Sequence, residues 1–405
     1  MSPKLLTFVL LAATLPAADL AITHATILDG TGAAPLRDAT LLIHDGKVVA
    51  VRPKLKIPAG AQTIDAAGKT VIPGLISAHS HVNELKDLSV FARYGVTTVQ
   101  SLGGPREIEF RDATATEQQS PGFTRSRLYI AGPIPTSKTA AEGRTAADAI
   151  AAAHTNFVKF RLDDNLGAGA EMPAEAYTAI IDEAHKKGMR VAVHVVYLRD
   201  AKAVLRLGAD YIAHSVRDAD LDAETIALLK HNHACYSPTL MREVSTFVYG
   251  DRPAFLSDPF FLRDADRGWL TQVNDPAFQA KIRADKSAQW YKDHLPQAMR
   301  NLRKAEDAGI LVAMGTDTGP ATRFQGYFEH LELEQMVKAG LTPMQALVAA
   351  TKGSAQCLQI DQQVGTLTSG KWADFLILSA NPLDDIANIR KLDSVYIAGT
   401  LMPRN

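Results

Sequence analysis

The sequence predicts an α/β protein with a closed (β/α)8 barrel, the TIM-barrel architecture, joined to a small discontinuous β-sandwich domain formed by both termini. Eight short apolar runs alternate with helical patterns in the middle of the chain, and short strand patterns occur at both ends. No glycine-rich phosphate-binding turn follows the first central strand, which argues against an open doubly wound sheet. We predict the composite β domain over residues 19–73 and 358–405 and the barrel over residues 74–357.

The first residues predict an export signal. Lys4 precedes an apolar stretch at 5–15, and residues 16–18 read Pro-Ala-Ala, which is the charged start, apolar run and small-residue end of a secretory signal. The apolar stretch is too short to span a bilayer as a permanent anchor. We therefore expect residues 1–18 to be removed, and the mature protein to be periplasmic or secreted without a stable membrane span.

Short strand patterns mark both ends of the remaining chain. Residues 41–51 alternate around Asp45-Gly46, a pair favoured in tight hairpin turns, and further strands are predicted at 373–378 and 394–399. Neither end alone supplies enough strands for a sheet with a buried face. The two ends are therefore expected to meet in one β domain.

The central strands and helices follow in alternation. Between most of the strands lie helical patterns such as residues 172–188, with Pro173 near the start and Gly188 at the stop. In a barrel of this kind the reactive groups lie at the C-terminal ends of the strands. The eight strand candidates are residues 70–76, 97–102, 127–131, 157–160, 191–194, 211–214, 234–237 and 310–315.

One interval is too long for a simple loop and helix. We predict extra helices at about residues 241–300, and residues 247–291 contain nine aromatic side chains. This segment is interpreted as a lid or pocket wall over the barrel mouth. Ordinary packing of inserted helices, or a subunit interface, explains the aromatic content equally well.

Composition excludes several classes of function. Of 405 residues, 46% are hydrophobic and 21% charged, so the chain is too apolar to be disordered. The formal net charge of -1 argues against a broad basic surface for nucleic acid. Cys235 and Cys357 are too few for a thiolate zinc site, and we expect two separate buried thiols, although export permits a disulfide. Homo-oligomerisation is left open.

Ligand-type side chains occur at the predicted strand ends. His79 and His81 are alternate residues of the first barrel strand, so both imidazoles point to the same face. His194, His214 and Asp317 end three later strands. Each of these residues alone has an ordinary structural explanation. If they bound no metal ion, however, all of them together would be polar side chains buried at a cost in free energy with no purpose. Nitrogen and oxygen donors without thiolates suit zinc first, with manganese, cobalt or iron as alternatives.

Lys159 lies among apolar neighbours in Phe157–Phe160, where burying its charge is expensive. It either extends to solvent or pairs with Asp163 or Asp164, or it is carboxylated by carbon dioxide. Carboxylation would turn the amine into an anionic ligand able to bridge two divalent metal ions.

The run Val71-Ile72-Pro73-Gly74-Leu75-Ile76-Ser77-Ala78-His79-Ser80-His81, with the Val158-Lys159-Phe160 run, the two single histidines and Gly315-Thr316-Asp317, resembles the metal-dependent amidohydrolase superfamily, in its prolidase-like and imidazolonepropionase-like branch. The resemblance implies that His79 and His81 hold one metal ion and His194 and His214 a second. It further implies that carboxylated Lys159 bridges both ions and that Asp317 binds metal and transfers protons. Ser77 stands where the family often has aspartate, which affects the expected substrate more than the metal site.

The expected reaction is hydrolysis of an amide or peptide bond in a dipeptide, an N-acyl amino acid or a cyclic amide. Two divalent ions lower the pKa of a shared water toward neutrality, and Asp317 takes its proton and passes it to the leaving nitrogen. Lactone, ester or phosphotriester hydrolysis is the main alternative, because the same ions can activate attack on those centres. Deamination ranks third, since deaminases of this superfamily resemble a one-metal design without the bridging lysine. A non-catalytic scaffold is less favoured, because no expected ligand is missing.

Substrate contacts are predicted with less support from the sequence. A cation or a phenol near strands five to seven could hold the carboxylate of a small substrate. A structural salt bridge or a packed ring is the alternative for each. The candidates are Tyr197, Arg217, Tyr236 and Arg242, with His330 as a support beneath the eighth strand.

Overall fold

The computed structural model describes residues 20–403. The export signal predicted at residues 1–18 lies outside the described residues and stays a prediction. Within residues 20–403 no helix is both long enough and apolar enough to cross a membrane.

Sixteen strands and fourteen α-helices make up the described chain. The strands are β1 (Leu20–Ile27), β2 (Leu36–His44), β3 (Lys47–Pro53), β4 (Gln62–Asp65), β5 (Thr70–Pro73), β6 (Leu75–Ser80), β7 (Val96–Ser101), β8 (Arg127–Ile130), β9 (Phe157–Arg161), β10 (Arg190–His194), β11 (Tyr211–Ala213), β12 (Cys235–Ser237), β13 (Leu311–Val312), β14 (Phe375–Leu378), β15 (Leu392–Ile397) and β16 (Thr400–Leu401). The α-helices are α1 (Asp87–Arg93), α2 (Glu107–Thr114), α3 (Ala140–Ala152), α4 (Ala174–Lys186), α5 (Leu198–Arg206), α6 (Ala223–His231), α7 (Leu240–Phe247), α8 (Pro259–Leu262), α9 (Arg267–Asn274), α10 (Pro276–Ala284), α11 (Lys286–Asp307), α12 (Tyr327–Lys338), α13 (Pro343–Val348) and α14 (Ser354–Cys357).

Both chain ends contribute to one eight-stranded sheet. The strand order is β16-β15-β14-β5-β1-β2-β3, with β4 paired to β1. The ends join where β14 runs antiparallel to β5, with Ile377 opposite Val71. Ile22, Leu41 and Phe375 belong to the apolar cluster that this sheet buries. The composite origin of the β unit is as predicted, but the predicted two-sheet sandwich is wrong, because hydrogen bonds connect all eight strands into a single sheet.

The middle of the chain forms a TIM-barrel-like α/β fold. Strands β6–β8 pair in parallel as one group and β9–β13 as another. Backbone hydrogen bonds link the groups at both junctions. At one, Asn156 N donates to the Ile130 carbonyl (2.8 Å), and at the other Ala78 N donates to the Met314 carbonyl (2.8 Å) and Thr316 N to the His79 carbonyl (2.9 Å). Strands lie at all eight predicted places, but residues 70–73 of the first belong to β5 in the terminal sheet, and the barrel strand there is β6. The pairing does not form a continuous closed ladder. At one junction the reason is that β13 has only two residues and the chain turns at Asp317, where φ is 58°.

Helix α4 illustrates how the sequence sets the helix limits. It begins after Pro173, which fixes the backbone at the entry, and Ala176, Ile180 and Ala184 are buried on its inner face. Gly188 follows the end of the helix with φ of 70°, a conformation that glycine adopts without a steric cost. The predicted helix at residues 172–188 is thus confirmed with slightly shorter limits.

The long interval between β12 and β13 contains α7 to α11. Seven of its nine aromatic side chains pack into a cluster with residues of α1, of α12 and of the loop before α12. Phe261 and Tyr249 belong to this cluster, together with Phe324 and Phe328. Phe261 and Phe324 meet edge to face with ring centroids 4.8 Å apart. The inserted helices therefore pack against the outer helices.

Cys235 and Cys357 form a disulfide, with their Cα atoms 5.6 Å apart. Both residues are fully buried. The expectation of two separate thiols is therefore wrong. Sequence spacing could not place the sulfurs together, because 122 residues separate them and only the return of α14 beneath β12 brings them into contact.

Candidate metal centre

The predicted ligands gather at the C-terminal ends of the parallel strands. This is where a TIM-barrel-like fold places its reactive groups. The backbone at His214 and Asp317 has φ of 75° and 58°, and such left-handed non-glycine residues concentrate at functional sites. The six residues are His79 in β6, His81 just after β6, Lys159 in β9, His194 at the end of β10, His214 just after β11 and Asp317 after β13.

Asp317 lies at the centre of this cluster. Its Oδ1 is 2.9 Å from His81 Nε2 and 3.3 Å from His79 Nε2. One ligand atom from each of His79, His214 and Asp317 lies within 4.8 Å of the other two. The His194 and His214 ring centroids are 4.2 Å apart. Donors at this spacing can contact a common divalent ion, because zinc bonds to nitrogen and oxygen are about 2 Å long.

The pattern of hydrogen bonds around the histidines fits a cation. His81 Nδ1 faces the Gly103 carbonyl at 2.7 Å and must donate to it, so a neutral His81 presents an Nε2 lone pair to the Asp317 carboxylate. Two lone pairs at that distance repel unless a proton or a metal ion lies between them. His214 Nε2 and His79 Nδ1 are buried without a hydrogen-bond partner among residues 20–403, and His79 Nε2 has only its 3.3 Å contact with Asp317 Oδ1. Such buried polar atoms without a partner are costly unless something binds them.

Burial also keeps these groups in their ligand forms. It lowers the pKa of His79 to about 3, with the Lys159 charge acting in the same direction, and it holds the pKa values of His194 and His214 well below their usual range. Burial opposes ionisation of Asp317, but Arg323 and the neighbouring histidines outweigh it and hold the pKa of this carboxyl well below its usual range. Neutral imidazoles beside a carboxylate are the forms that bind divalent metals.

Lys159 is buried and close to this cluster. Burial lowers the pKa of its amine to about 8. No carboxylate lies within 4 Å of Nζ in the described part of the chain; Asp163 pairs instead with His194 and Arg161, and Asp164 with Tyr197. The alternative of a Lys159 ion pair with Asp163 or Asp164 is therefore wrong. A lowered pKa increases the fraction of the amine that is neutral, and the neutral amine is the form that reacts with carbon dioxide.

A cavity of about 510 Å³ opens above the cluster. Five of the six predicted ligands line it, and His79 contacts Asp317 at its base. Four arginines also reach the wall, so the cavity is electropositive apart from Asp317. The lining residues are His81, Val82, Asn83, Gly103, Gly104, Pro105, Arg106, Phe110, Ile134, Lys159, Arg161, His194, His214, Arg242, Asp317, Pro320 and Arg323.

Of the five predicted substrate contacts, only Arg242 lines this cavity. None of the nine aromatic residues at 247–291 lines it, so the aromatic part of the inserted segment does not form its wall, and Arg242 is the segment's one contribution to the lining. The other four have structural partners: Tyr197 OH donates to Asp164 (2.9 Å), Arg217 Nε donates to Glu243 (2.7 Å), Tyr236 OH accepts from Val216 N (3.3 Å), and His330 Nε2 donates to the Tyr94 carbonyl (2.7 Å).

Comparison with protein families identifies the chain. The model of the Amidohydrolase family matches residues 70–402, which is most of the sequence. The chain belongs to the amidohydrolase family. It is thus a hydrolytic enzyme acting on carbon–nitrogen bonds. Amidohydrolases generally use divalent metal ions, in keeping with the cluster of His79, His214 and Asp317.

Individual relatives support the same family. The imidazolonepropionase of Streptomyces avermitilis is 27% identical over 390 residues, covering 86% of this chain and 83% of that protein. The guanine deaminase of Escherichia coli is 23% identical over 395 residues, covering 90% and 88%. A crystal structure of a Bifidobacterium longum protein provisionally named a prolidase has a TM-score of 0.78 and 28% identity, covering 96% of each chain. A Xaa-Pro dipeptidase with bound methionine shares the fold, with a TM-score of 0.75, 20% identity and coverage of 95% and 100%.

Sequence reasoning missed two charged residues of this amidohydrolase site. Glu107 at the start of α2 accepts hydrogen bonds from the backbone N–H groups of Gly103 (2.9 Å) and Gly132 (2.7 Å), and this fixes the carbonyl that holds His81. Arg323, in the loop after β13, forms an ion pair with Asp317. Neither residue ends a strand. The only sequence signal for Arg323 was its closeness to Asp317, and Glu107 had no such signal.

The effect of burying His330 in this amidohydrolase can be measured through the pH dependence of the free energy of unfolding. Burial lowers its pKa from 6.5 to about 3, so between these values the unfolded chain binds a proton that the folded chain does not. The free energy of unfolding of the metal-free protein should therefore fall as pH falls through this window, by about 1.4 kcal/mol per unit for this residue. Gln can still donate to the Tyr94 carbonyl, and we expect His330→Gln to reduce the slope by that amount in urea titrations from pH 6 to 4.5. An unchanged slope would contradict the prediction.

Proposed function

We propose that this amidohydrolase is a metal-dependent hydrolase that cleaves an amide or peptide bond in a small substrate bearing a carboxylate: a dipeptide, an N-acyl amino acid or a cyclic amide. The observation that carries the proposal is the buried cluster in which ligand atoms of His79, His214 and Asp317 lie within 4.8 Å of one another. The names of the similar proteins, imidazolonepropionase and Xaa-Pro dipeptidase, support amide-type substrates.

We assign two divalent ions, zinc first, to this site. His79 and His81 would hold one ion and His194 and His214 the other. Lys159, carboxylated on Nζ, would contact both, and Asp317 would complete the ligands. Such ions, when bound, polarise a carbonyl and lower the pKa of water.

Asp317 carries the proton transfers in this proposal. Its Oδ2 is paired with Arg323, whereas Oδ1 faces the histidines, and Oδ1 is the atom we assign to take a proton from the attacking water. The water oxygen bonds to the carbonyl carbon, the carbon–nitrogen bond breaks, and the same proton passes to the leaving nitrogen. The products are a carboxylate and an amine, and no covalent enzyme intermediate is needed.

Arg242 is the residue we propose for recognising the substrate carboxylate. It lines the cavity, stacks on the Tyr291 ring at 4.3 Å, and donates to Glu243 Oε2 at 3.1 Å, so its position is fixed before substrate binds. A charge-assisted hydrogen bond contributes about 1.5–3 kcal/mol. We expect Arg242→Gln to raise KM for carboxylated amides about 10- to 150-fold with kcat largely retained. Assays with the matching substrate amidated at its carboxylate serve as the control: an equal effect on both substrates would contradict this role.

The proposed function is tested by metal analysis and a substrate screen on the purified mature protein. We expect close to two zinc-type ions per chain and hydrolysis of dipeptides or N-acyl amino acids that is lost on chelation and restored by metal. Esters, lactones and an organophosphate belong in the same screen, and preference for one of them would favour the alternative reaction. Less than one ion per chain, with no hydrolysis, would refute the proposal.

We also propose that the protein is exported. The charged, apolar and small-residue pattern at 1–18 supports this, as does the Cys235–Cys357 disulfide, because disulfides persist in oxidising compartments. Fractionation of cells expressing the full chain should recover the protein, shortened at its N-terminus, outside the cytoplasm. Full-length protein confined to the cytoplasm would disprove export.

A further inference from the structure

Each histidine assigned to metal presents one ring nitrogen to the site, so the partner of its other nitrogen decides which atom can bind. His81 Nδ1 donates to a backbone carbonyl, and His214 Nδ1 lies 2.6 Å from the Thr239 hydroxyl. His194 differs, because its Nε2 is 3.0 Å from the Oδ2 carboxylate oxygen of Asp163. Among the four histidines, it alone has a carboxylate outside the cluster as its partner in the described structure.

We propose that Asp163 is a positioning residue for the metal centre: its carboxylate fixes the proton of His194 on Nε2 and so leaves Nδ1 as the ligand atom. This inference rests on the proposed metal-dependent function. A carboxylate cannot donate, so His194 must carry its proton on Nε2 when it bonds to Asp163. A neutral imidazole has one lone pair, which then lies on Nδ1. A carboxylate partner also makes the imidazole a stronger donor to metal.

The surroundings hold Asp163 in place for this purpose. Its side chain is only 2% exposed, and its Oδ1 accepts a hydrogen bond from the backbone N–H of Asn165 at 2.7 Å. Leu162 N donates to the His194 carbonyl at 2.9 Å, which ties the loop after β9 to the end of β10. The carboxylate is thus aimed at His194 by the backbone on both sides.

An ion pair with Arg161 is the competing explanation for Asp163. Arg161 Nη2 lies 3.1 Å from the same Oδ2, but its side chain is 49% exposed. Solvent screens the charge of an arginine this exposed, so the ion pair contributes little. If the role of Asp163 were to form this ion pair, removing Arg161 should have the same effect on metal binding as removing Asp163.

Asp163→Asn is the informative change. Both carboxylate oxygens accept from N–H groups, so an amide must turn its NH2 either toward His194 or toward the Asn165 backbone. The first orientation reverses the His194 tautomer and places the proton on Nδ1, and the second opens the loop. In both cases we expect one of the two zinc affinities to weaken about 10- to 100-fold, the usual range for loss of such a partner.

The test combines zinc titration of metal-free protein with imidazole nitrogen NMR. Wild type should bind two ions and show His194 protonated on Nε2. Asp163→Asn should weaken one site alone, with the proton on Nδ1 when the amide turns its NH2 toward His194, whereas Arg161→Gln and Asp164→Asn should keep both zinc affinities.

Two unchanged affinities in Asp163→Asn, or a loss reproduced by Arg161→Gln, would overturn the inference. If Asp163→Asn fails to fold, the wild-type spectrum still decides, because a His194 proton on Nδ1 contradicts the proposal. Wild-type protein that binds no zinc but carries the Nε2 proton would refute the proposed metal-dependent function while leaving the hydrogen bond intact, so the two failures are distinguishable.

Discussion

Asp317→Asn is expected to retain the metal ions while lowering kcat by about 10²- to 10⁴-fold, the usual contribution of a general acid–base group. Asparagine keeps the shape and one oxygen of the side chain, but it cannot take a proton from water and pass it to the leaving nitrogen. The loss should therefore appear in kcat far more than in KM. Steady-state kinetics and metal analysis on the same preparation would measure both effects.

The ion pair between Asp317 and Arg323 supplies the control for this experiment. Arg323→Met removes the same pair but leaves the carboxylate, so it should reduce kcat by a smaller factor. A variant Asp317→Asn with wild-type turnover would exclude the proton-transfer role. Loss of all metal in this variant would instead show that the residue acts mainly as a ligand.

Lys159→Met is expected to lower the bound metal from two ions to one or fewer and to remove most activity. Methionine has a similar volume and no charge, so the buried position can accept it with little cost in folding stability. What it cannot do is react with carbon dioxide to form a bridging anionic ligand. The metal content of the variant measures the loss of the bridging ligand. The thermal stability of the metal-free variant measures any cost in folding stability.

Carboxylation itself can be observed on the wild-type protein. The intact mass under native conditions should exceed the mass calculated for the mature chain with its metal ions by one carbon dioxide per chain, and reloading metal-free protein with zinc should be faster when bicarbonate is present. Neither effect should occur in Lys159→Met. Full activity with two ions in that variant would contradict a bridging role for the lysine.

Much of the fold could be predicted because it follows from local periodicity. The strand ending at His194 and the helix that begins after Pro173 and ends before Gly188 both depend on nearby residues, and both are present. The single terminal sheet could not be predicted, because whether strands form one sheet or two depends on pairing between distant segments such as β5 and β14. The same holds for the disulfide between Cys235 and Cys357.

The candidate ligands were recognisable because the chemistry restricts metal binding to a few residue types, and the strand ends place those types at one edge. The sequence by itself thus determined the family, the alternating architecture and the six residues that gather at the ends of the parallel strands. The substrate contacts were not determined in this way: Arg217 and Arg242 both follow strands of the barrel, yet Arg217 is fully buried against Glu243 and only Arg242 reaches the cavity.

The partners of the site residues were decided by the tertiary structure alone. Asp163 meets His194 across 31 residues and Glu107 holds the loop beside His81, because hydrogen bonds between loops depend on where neighbouring strands end and not on any local pattern. Local sequence fixes which side chains can bind a metal. The packing of the strands fixes which nitrogen of each imidazole is free to do so, since every buried donor must find an acceptor among groups that are distant in the chain.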